Sequence, residues 1–164
     1  MKNWEKLQGD TKLRESLLMR QRVIDSIRRF FIQQQFLEVE TPLLVHTPGT
    51  EPYLEVFETA LKSSDQTSER AFLLTSPELY MKKLLSAGLG SIFQICKSFR
   101  NAEGISSFHN PEFTILEWYR TPADYTDVMQ DCENLLLHLL NDLGLNKSGK
   151  RQLSYQGVLY DLSL

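Results

Sequence analysis

Arg100, Glu103, His109, Asn110, Phe113, Glu117 and Tyr119 all fall within Phe93 to Arg120 and bring together a guanidinium, an imidazole, an amide, an aromatic ring, two carboxylates and a phenol. A guanidinium stays charged and grips two oxygens of a carboxylate or phosphate at once. A carboxylate and a phenol beyond an aromatic, on one face, suit an amine. The stretch reads as two strands joined by a polar loop. Strand alternation sets Phe113, Ile115, Glu117 and Tyr119 on one face and Thr114, Leu116 and Trp118 on the other. In the preceding strand Ile92, Gln94, Cys96, Ser98 and Arg100 share a face, with Phe93, Ile95 and Phe99 opposite and only Lys97 breaking that apolar side. A lone Glu and Tyr on a sheet are usually solvated, and a lone Arg is usually a surface charge. The convergence of two strands favours a pocket for a charged small molecule.

Several elements must position this hairpin. Leu13, Leu17, Ile24, Ile27 and Phe31 recur at helical spacing and predict a long amphipathic helix over Thr11 to Gln35. Phe36 to Val45 follows as a strand broken by Pro42, whose missing N–H places it at a sheet edge or an interface. His46 to Tyr53 reads as a loop, Tyr53 to Leu61 as a strand anchored by Leu54, Val56 and Phe57, Ser63 to Arg70 as a polar tip, and Ala71 to Thr75 as a short strand. Ser76-Pro77-Glu78 opens a helix through Leu85, with Pro77 at its first position, and Gly88 and Gly90 end it. Asp124 caps a last helix to about Leu143, with Val128, Leu135, Leu136 and Leu139 as its buried stripe. Asn146 to Arg151 is a basic linker, and Gln152 to Leu164 begins another apolar pattern.

At 164 residues and a formal charge of −3, the composition is that of one globular domain with a single core. Slight acidity argues against nonspecific nucleic-acid binding, which needs clustered Lys and Arg. Arg20, Arg22, Arg28 and Arg29 form a modest basic cluster on the first long helix, read first as a solvated face. Cys96 and Cys132 have no metal-ligand spacing and read as small buried residues of a reducing compartment. No run approaches a membrane span or a signal sequence, so a cytoplasmic protein without a membrane partner is expected.

Three segments, in order, resemble the class II aminoacyl-tRNA synthetases of the lysyl subgroup, over about Arg14 to Asn141. Phe36-Leu37-Glu38-Val39-Glu40-Thr41-Pro42-Leu43-Leu44 is similar to the first class II motif. Thr75-Ser76-Pro77-Glu78 is similar to the amino-acid-binding segment, and Arg100 through His109-Asn110-Pro111-Glu112-Phe113-Thr114 to the second motif. The resemblance implies an α+β fold, the class II catalytic core with an antiparallel sheet flanked by helices, here incomplete. Residues 1–164 would be part of that catalytic domain, with the first and second motifs present and the third absent.

By the same resemblance, ATP activates a carboxylic acid as an adenylate. Arg100 would be the catalytic arginine on the α-phosphate and the substrate carboxylate. Phe113 would stack under adenine, Asn101, Glu103 and Asn110 would contact the nucleotide, and His109 would lie near the triphosphate. Ser76, Pro77 and Glu78 would line the substrate site, with Glu78 taking the amino group near the reacting carboxyl and Glu117 and Tyr119 the far amine. Lysine or β-lysine fits best. Pro42 would sit at a homodimer boundary. The loop holds one residue more than the family pattern, so Ala102 stands where the family has its glutamate and Glu103 follows it. The third motif's second ATP-binding arginine and the acidic ligands of Mg2+ are expected downstream, and no metal ligands within this chain.

Only a short leader precedes the first predicted helix, leaving no room for the anticodon-binding barrel of the tRNA-charging enzymes. Thr75 to Glu78, Phe93 to Arg100 and Leu116 to Arg120 are similar to the ligase family that places (R)-β-lysine on elongation factor P. That likeness makes elongation factor P the expected partner, with tRNA-Lys the alternative favoured by Glu103 to Ser106 and Ala123 to Tyr125. A third reading is a truncated, non-catalytic module that dimerises or binds nucleotide.

Overall fold

The computed structural model describes residues 3–49, 51–102, 106, 109–146 and 151–161. They form two compact units, one within residues 1–35 and 123–164, the other Phe36–Pro122.

In the first unit α1 spans Asn3–Gly9 and α2 spans Thr11–Gln33. Asp10 caps α2 by accepting the Leu13 N–H at 3.0 Å, which satisfies one of the donors a helix start leaves open. The helix ends before Gln35, whose φ of 64° reverses the chain. The long helix Tyr125–Asp142, α4 in chain order, starts in a capping box in which Asp124 accepts from Thr126 and Asp127 while Asp127 reaches back to the Asp124 N–H. Phe30 packs edge-on against Phe31, with centroids 5.1 Å apart, and meets the His138 ring at 5.5 Å. Arg29 of the basic cluster pairs with Asp142, and Arg28 lies 4.0 Å from Asp25. A hairpin of Gln152–Tyr155 and Val158–Asp161 (β7 and β8) completes the unit.

The second unit holds two three-stranded sheets. One orders β1 (Leu37–Glu38), β5 (Ile92–Phe99) and β6 (Glu112–Tyr119), with β1 parallel to β5 and β6 antiparallel to it. The other orders β2 (Leu44–Val45), β4 (Ser68–Leu73) and β3 (Phe57–Lys62), all antiparallel. Helix α3, Glu78–Ser86, buries Met81 against Val39 and Ile92, with Leu84, Leu85 and Tyr119 packed around them. The α+β expectation holds, and the main sheet is mixed rather than purely antiparallel because the first-motif segment joins it in parallel.

Several sequence expectations need correction. The strand expected over Phe36 to Val45 is two two-residue strands in different sheets, because the chain leaves one sheet before Pro42 and enters the other after it. The strand expected from Tyr53 begins at Phe57. The polar tip is shorter than Ser63 to Arg70: Ser68 to Arg70 belong to β4, and the loop closes where Ser63 donates to the Thr67 carbonyl and Asp65 accepts from Thr67. Six backbone pairs hold that hairpin although its polar residues give no apolar alternation. Pro77 is the N-cap of α3 rather than its first residue. Leu17 is 50% exposed, and on α4 Val128 (38%) and Leu136 (45%) are exposed while Leu135, Leu140 and Asp131 are buried. Cys132 is exposed, and Cys96 half-buried, its thiol pushed up by burial.

Candidate active site

The register of β5 and β6 builds the floor of the site. Ile92 lies opposite Tyr119, Gln94 opposite Glu117, Cys96 opposite Ile115 and Ser98 opposite Phe113. Directly opposed residues of an antiparallel pair project to the same face, so the face expected from alternation is present. Glu117 and Phe113 stand four residues apart along β6, about 13 Å at about 3.3 Å per residue. The site therefore has two ends.

At the Glu117 end, Tyr119 donates its hydroxyl to Oε1 of Glu117 at 2.6 Å and Ser76 donates to Oε2 at 2.7 Å. Ser76 arrives there because the Leu74 N–H donates to the Leu43 carbonyl and the Leu74 carbonyl accepts from Phe99 at the end of β5. Pro77 is fully buried beside it. The Ser76 hydroxyl also accepts the Glu78 N–H at 3.1 Å, so the contact role and the helix-start role expected of this serine are both present. The Glu78 carboxylate pairs with Lys82 one turn along α3, which raises the lysine's affinity for its proton. Burial, then the Glu117 bond, pushes the Tyr119 phenol well above its ordinary value, so it remains a donor through the whole neutral range.

At the other end, the Arg100 guanidinium stands over the Phe113 ring, 5.1 Å from its centroid. The Arg100 N–H donates to the Pro111 carbonyl and the Asn101 N–H to the Glu55 carbonyl. Ala102 has φ of 59°, a left-handed residue at the place of the extra loop residue, and its N–H is held by the Asn101 side chain at 2.9 Å. Glu103 lies outside the described residues. His109 closes the loop onto Ser106: its N–H donates to the Ser106 hydroxyl at 3.0 Å and its Nδ1 lies 3.1 Å from the same oxygen. Asn101, His109 and Asn110 are exposed. Pro42 is exposed, and its neighbour Thr41 donates to Gln94 Oε1 at 3.0 Å.

Lys82 is a site residue that sequence reasoning misses, and Gln94 is one that it places on the converging face without giving it a role. Gln94 is 2% exposed and faces Glu117, and its place on the pocket face is the available signal. The four-residue spacing from Glu78 is the signal for Lys82.

The sequence profile of the tRNA synthetases class II (D, K and N) matches residues 2–161. The chain belongs to this family. A class II synthetase domain of this kind is also 44% identical over 146 residues to the elongation factor P (R)-β-lysine ligase of Baumannia cicadellinicola subsp. Homalodisca coagulata, covering 87% of this chain and 43% of that protein. The ligases of the same name from Vibrio atlanticus (strain LGP32) and Histophilus somni (strain 2336) are 40% identical over 150 residues and 46% over 128. These alignments cover 90% and 77% of this chain and 44% and 39% of the relatives. The chain thus spans about two fifths of the curated relatives' length. No helix among the described residues is long and apolar enough to cross a membrane.

The site's donor set fits a nucleotide in this class II synthetase domain. A guanidinium over a ring, with exposed amide and imidazole groups on the adjoining loop, offers partners for phosphate and base together. Among the described residues no three His, Cys, Asp or Glu side chains converge as a metal site.

Proposed function

We propose that this domain activates a diamino acid of the lysine type with ATP, as the adenylate, in a ligase that passes (R)-β-lysine to a lysine of elongation factor P. The observation that carries the reading is Glu117, a carboxylate with each oxygen on a hydroxyl and no ion pair to a described Lys or Arg. An ammonium completes it, and a ligand without one leaves the charge unmatched. The names of relatives 40–46% identical support β-lysine as the diamino acid and elongation factor P as the acceptor.

In this reading the diamino acid lies along β6, its far amine at Glu117 and Tyr119 and its carboxylate toward Arg100. Its other amino group meets Glu78 in exchange for Lys82. Attack of the carboxylate oxygen on the α-phosphorus expels pyrophosphate, and the charge on the phosphoryl oxygens falls to the Arg100 guanidinium. Phe113 supports the base from its ring, and Asn101, Glu103, Asn110 and His109 complete the nucleotide's surroundings. ATP brings the leaving group, with Mg2+ as its usual companion. The segment around Pro42 forms the boundary of a homodimer, and the site works in the cytoplasm.

ATP–pyrophosphate exchange tests this with lysine and with (R)-β-lysine, for this chain and for a form extended to the length of its relatives. Exchange in the extended form that prefers β-lysine is expected. Exchange with neither amino acid in either form overturns the reading, and a preference for lysine with transfer to tRNA moves the acceptor from protein to RNA.

A further inference from the structure

Ser76 joins the Glu117 carboxylate to the backbone N–H of Glu78 through one hydroxyl. Its single proton goes to Oε2 of Glu117, 2.7 Å away, and one of its lone pairs takes the Glu78 N–H at 3.1 Å. A hydroxyl has only one proton to give, so Ser76 has none left for a ligand. Tyr119 holds the other Glu117 oxygen at 2.6 Å. The two carboxylates are therefore held in different ways. Glu78 has a cation, Lys82, while Glu117 has two neutral hydroxyls and, among the described residues, no cation in ion-pair range.

The difference bears on selectivity. A carboxylate already paired with a lysine offers a ligand ammonium only an exchange of partners. A carboxylate held by hydroxyls has no directly paired cation to displace and has its rotamer freedom already spent, so an arriving ammonium pairs with it without the ordering cost. The burial of Pro77 and the backbone bonds of Leu74 hold the serine where it does this.

We infer that Ser76 is a positioning residue that acts through Glu117, orienting for an ammonium group a carboxylate that no described cation pairs directly, and tying the first turn of α3 to the same hydroxyl. The choice of a diamino acid as ligand rests on the proposed function, whereas the relay from Glu117 through Ser76 to the Glu78 N–H does not.

The test uses the 164-residue chain, labelled with nitrogen-15, as wild type, Ser76→Ala, Ser76→Thr, Glu117→Gln and the Ser76→Ala, Glu117→Gln double variant. In the absence of ligand, Glu117→Gln is expected to move the Glu78 amide resonance when Ser76 is present and to leave it in place when residue 76 is alanine. Equal movement in both backgrounds overturns the relay. Titration with lysine and (R)-β-lysine, against norleucine as the probe without the second amine, reads the second consequence. Ser76→Ala is expected to weaken diamino-acid binding about tenfold or more with Glu117 present and not at all in the Glu117→Gln background. Ser76→Thr, which keeps the hydroxyl, is expected to bind as wild type. A loss that persists in the Glu117→Gln background means direct contact with the ligand and overturns the positioning role. If wild type binds neither diamino acid, the proposed function fails for this chain, and the amide comparison still decides the relay.

Discussion

Tyr119 and Glu117 are two residues apart on β6, share a face, and join hydroxyl to carboxylate at 2.6 Å. Their alternation is what lets neighbours on one strand bond side chain to side chain without bending the backbone. The phenol supplies half of what holds the carboxylate, and Tyr119 packs against the Val39, Met81 and Ile92 cluster, so this end of the site is anchored directly in the core.

Tyr119→Phe keeps that packing and removes the donor. A hydrogen bond to a charged acceptor contributes about 1.5–3 kcal/mol, so lysine binding should weaken about tenfold or more while norleucine binding stays unchanged. Calorimetric titration of both ligands checks it.

The phenol also carries a pH signature. Its folded pKa is raised above the ordinary value of about 10 by burial and by Glu117. A group whose folded pKa is raised contributes stability in full below its unfolded value and loses it as pH rises through the folded one. Stability should therefore fall on going above about pH 10, and the fall should be shallower in Tyr119→Phe. Absorbance titration at alkaline pH should likewise show that variant lacking a phenol that ionises above the ordinary range.

The parts of this fold that are legible from sequence are those set by strong local periodicity. A period of two sorts Gln94 and Ser98 onto one face of β5 and Phe113 and Glu117 onto one face of β6 from the sequence alone, and the register brings those two faces together. Helical spacing locates α2 and α4 but not the buried side of α4, because Asp131 is buried there while Val128 and Leu136 are exposed. Hydrophobicity alone cannot signal a buried carboxylate. The hairpin of β3 and β4 reads as partly loop because its strand residues are polar, and its stability rests on backbone pairing and the Glu58–Arg70 pair across it. Site residues are legible where their chemistry is unusual. Lys82 escapes notice, and Gln94 is placed on its face without a role, because a surface lysine on a helix and a glutamine in a strand carry no chemical distinction until their partners are known.

Met81 links α3 to β5 and is 0% exposed. Met81→Ala should cost about 2–5 kcal/mol of stability, the range for truncating a large buried aliphatic side chain. Because Tyr119 leans on the same cluster, the variant should also weaken lysine binding under conditions where it is still folded. Urea denaturation and titration on the same sample measure both.

Gln35 follows the end of α2 with φ of 64°, and its N–H bonds to the Ile32 carbonyl. A side chain in the left-handed region crowds its own backbone, and glycine is the residue helices prefer just past their C-termini. Gln35→Gly should stabilise the protein by about 1 kcal/mol. A lower midpoint in urea than wild type would contradict that account of the helix end.

Arg100 separates geometry from charge at the reacting end. Arg100→Lys keeps a cation but loses the planar fork and the stacked contact with Phe113, since an ammonium is a point charge that cannot hold two oxygens in a plane. In the proposed mechanism that fork supports charge that develops on the phosphoryl oxygens only as pyrophosphate leaves. The loss should therefore fall on the exchange rate more than on the affinity for either ligand. Removing one such donor typically costs about 100- to 1000-fold in rate. ATP–pyrophosphate exchange by the extended form should show a fall of that size in kcat for Arg100→Lys and a deeper one for Arg100→Ala, with KM for lysine or β-lysine little changed. A variant that raised KM and kept kcat would place Arg100 in ground-state binding alone.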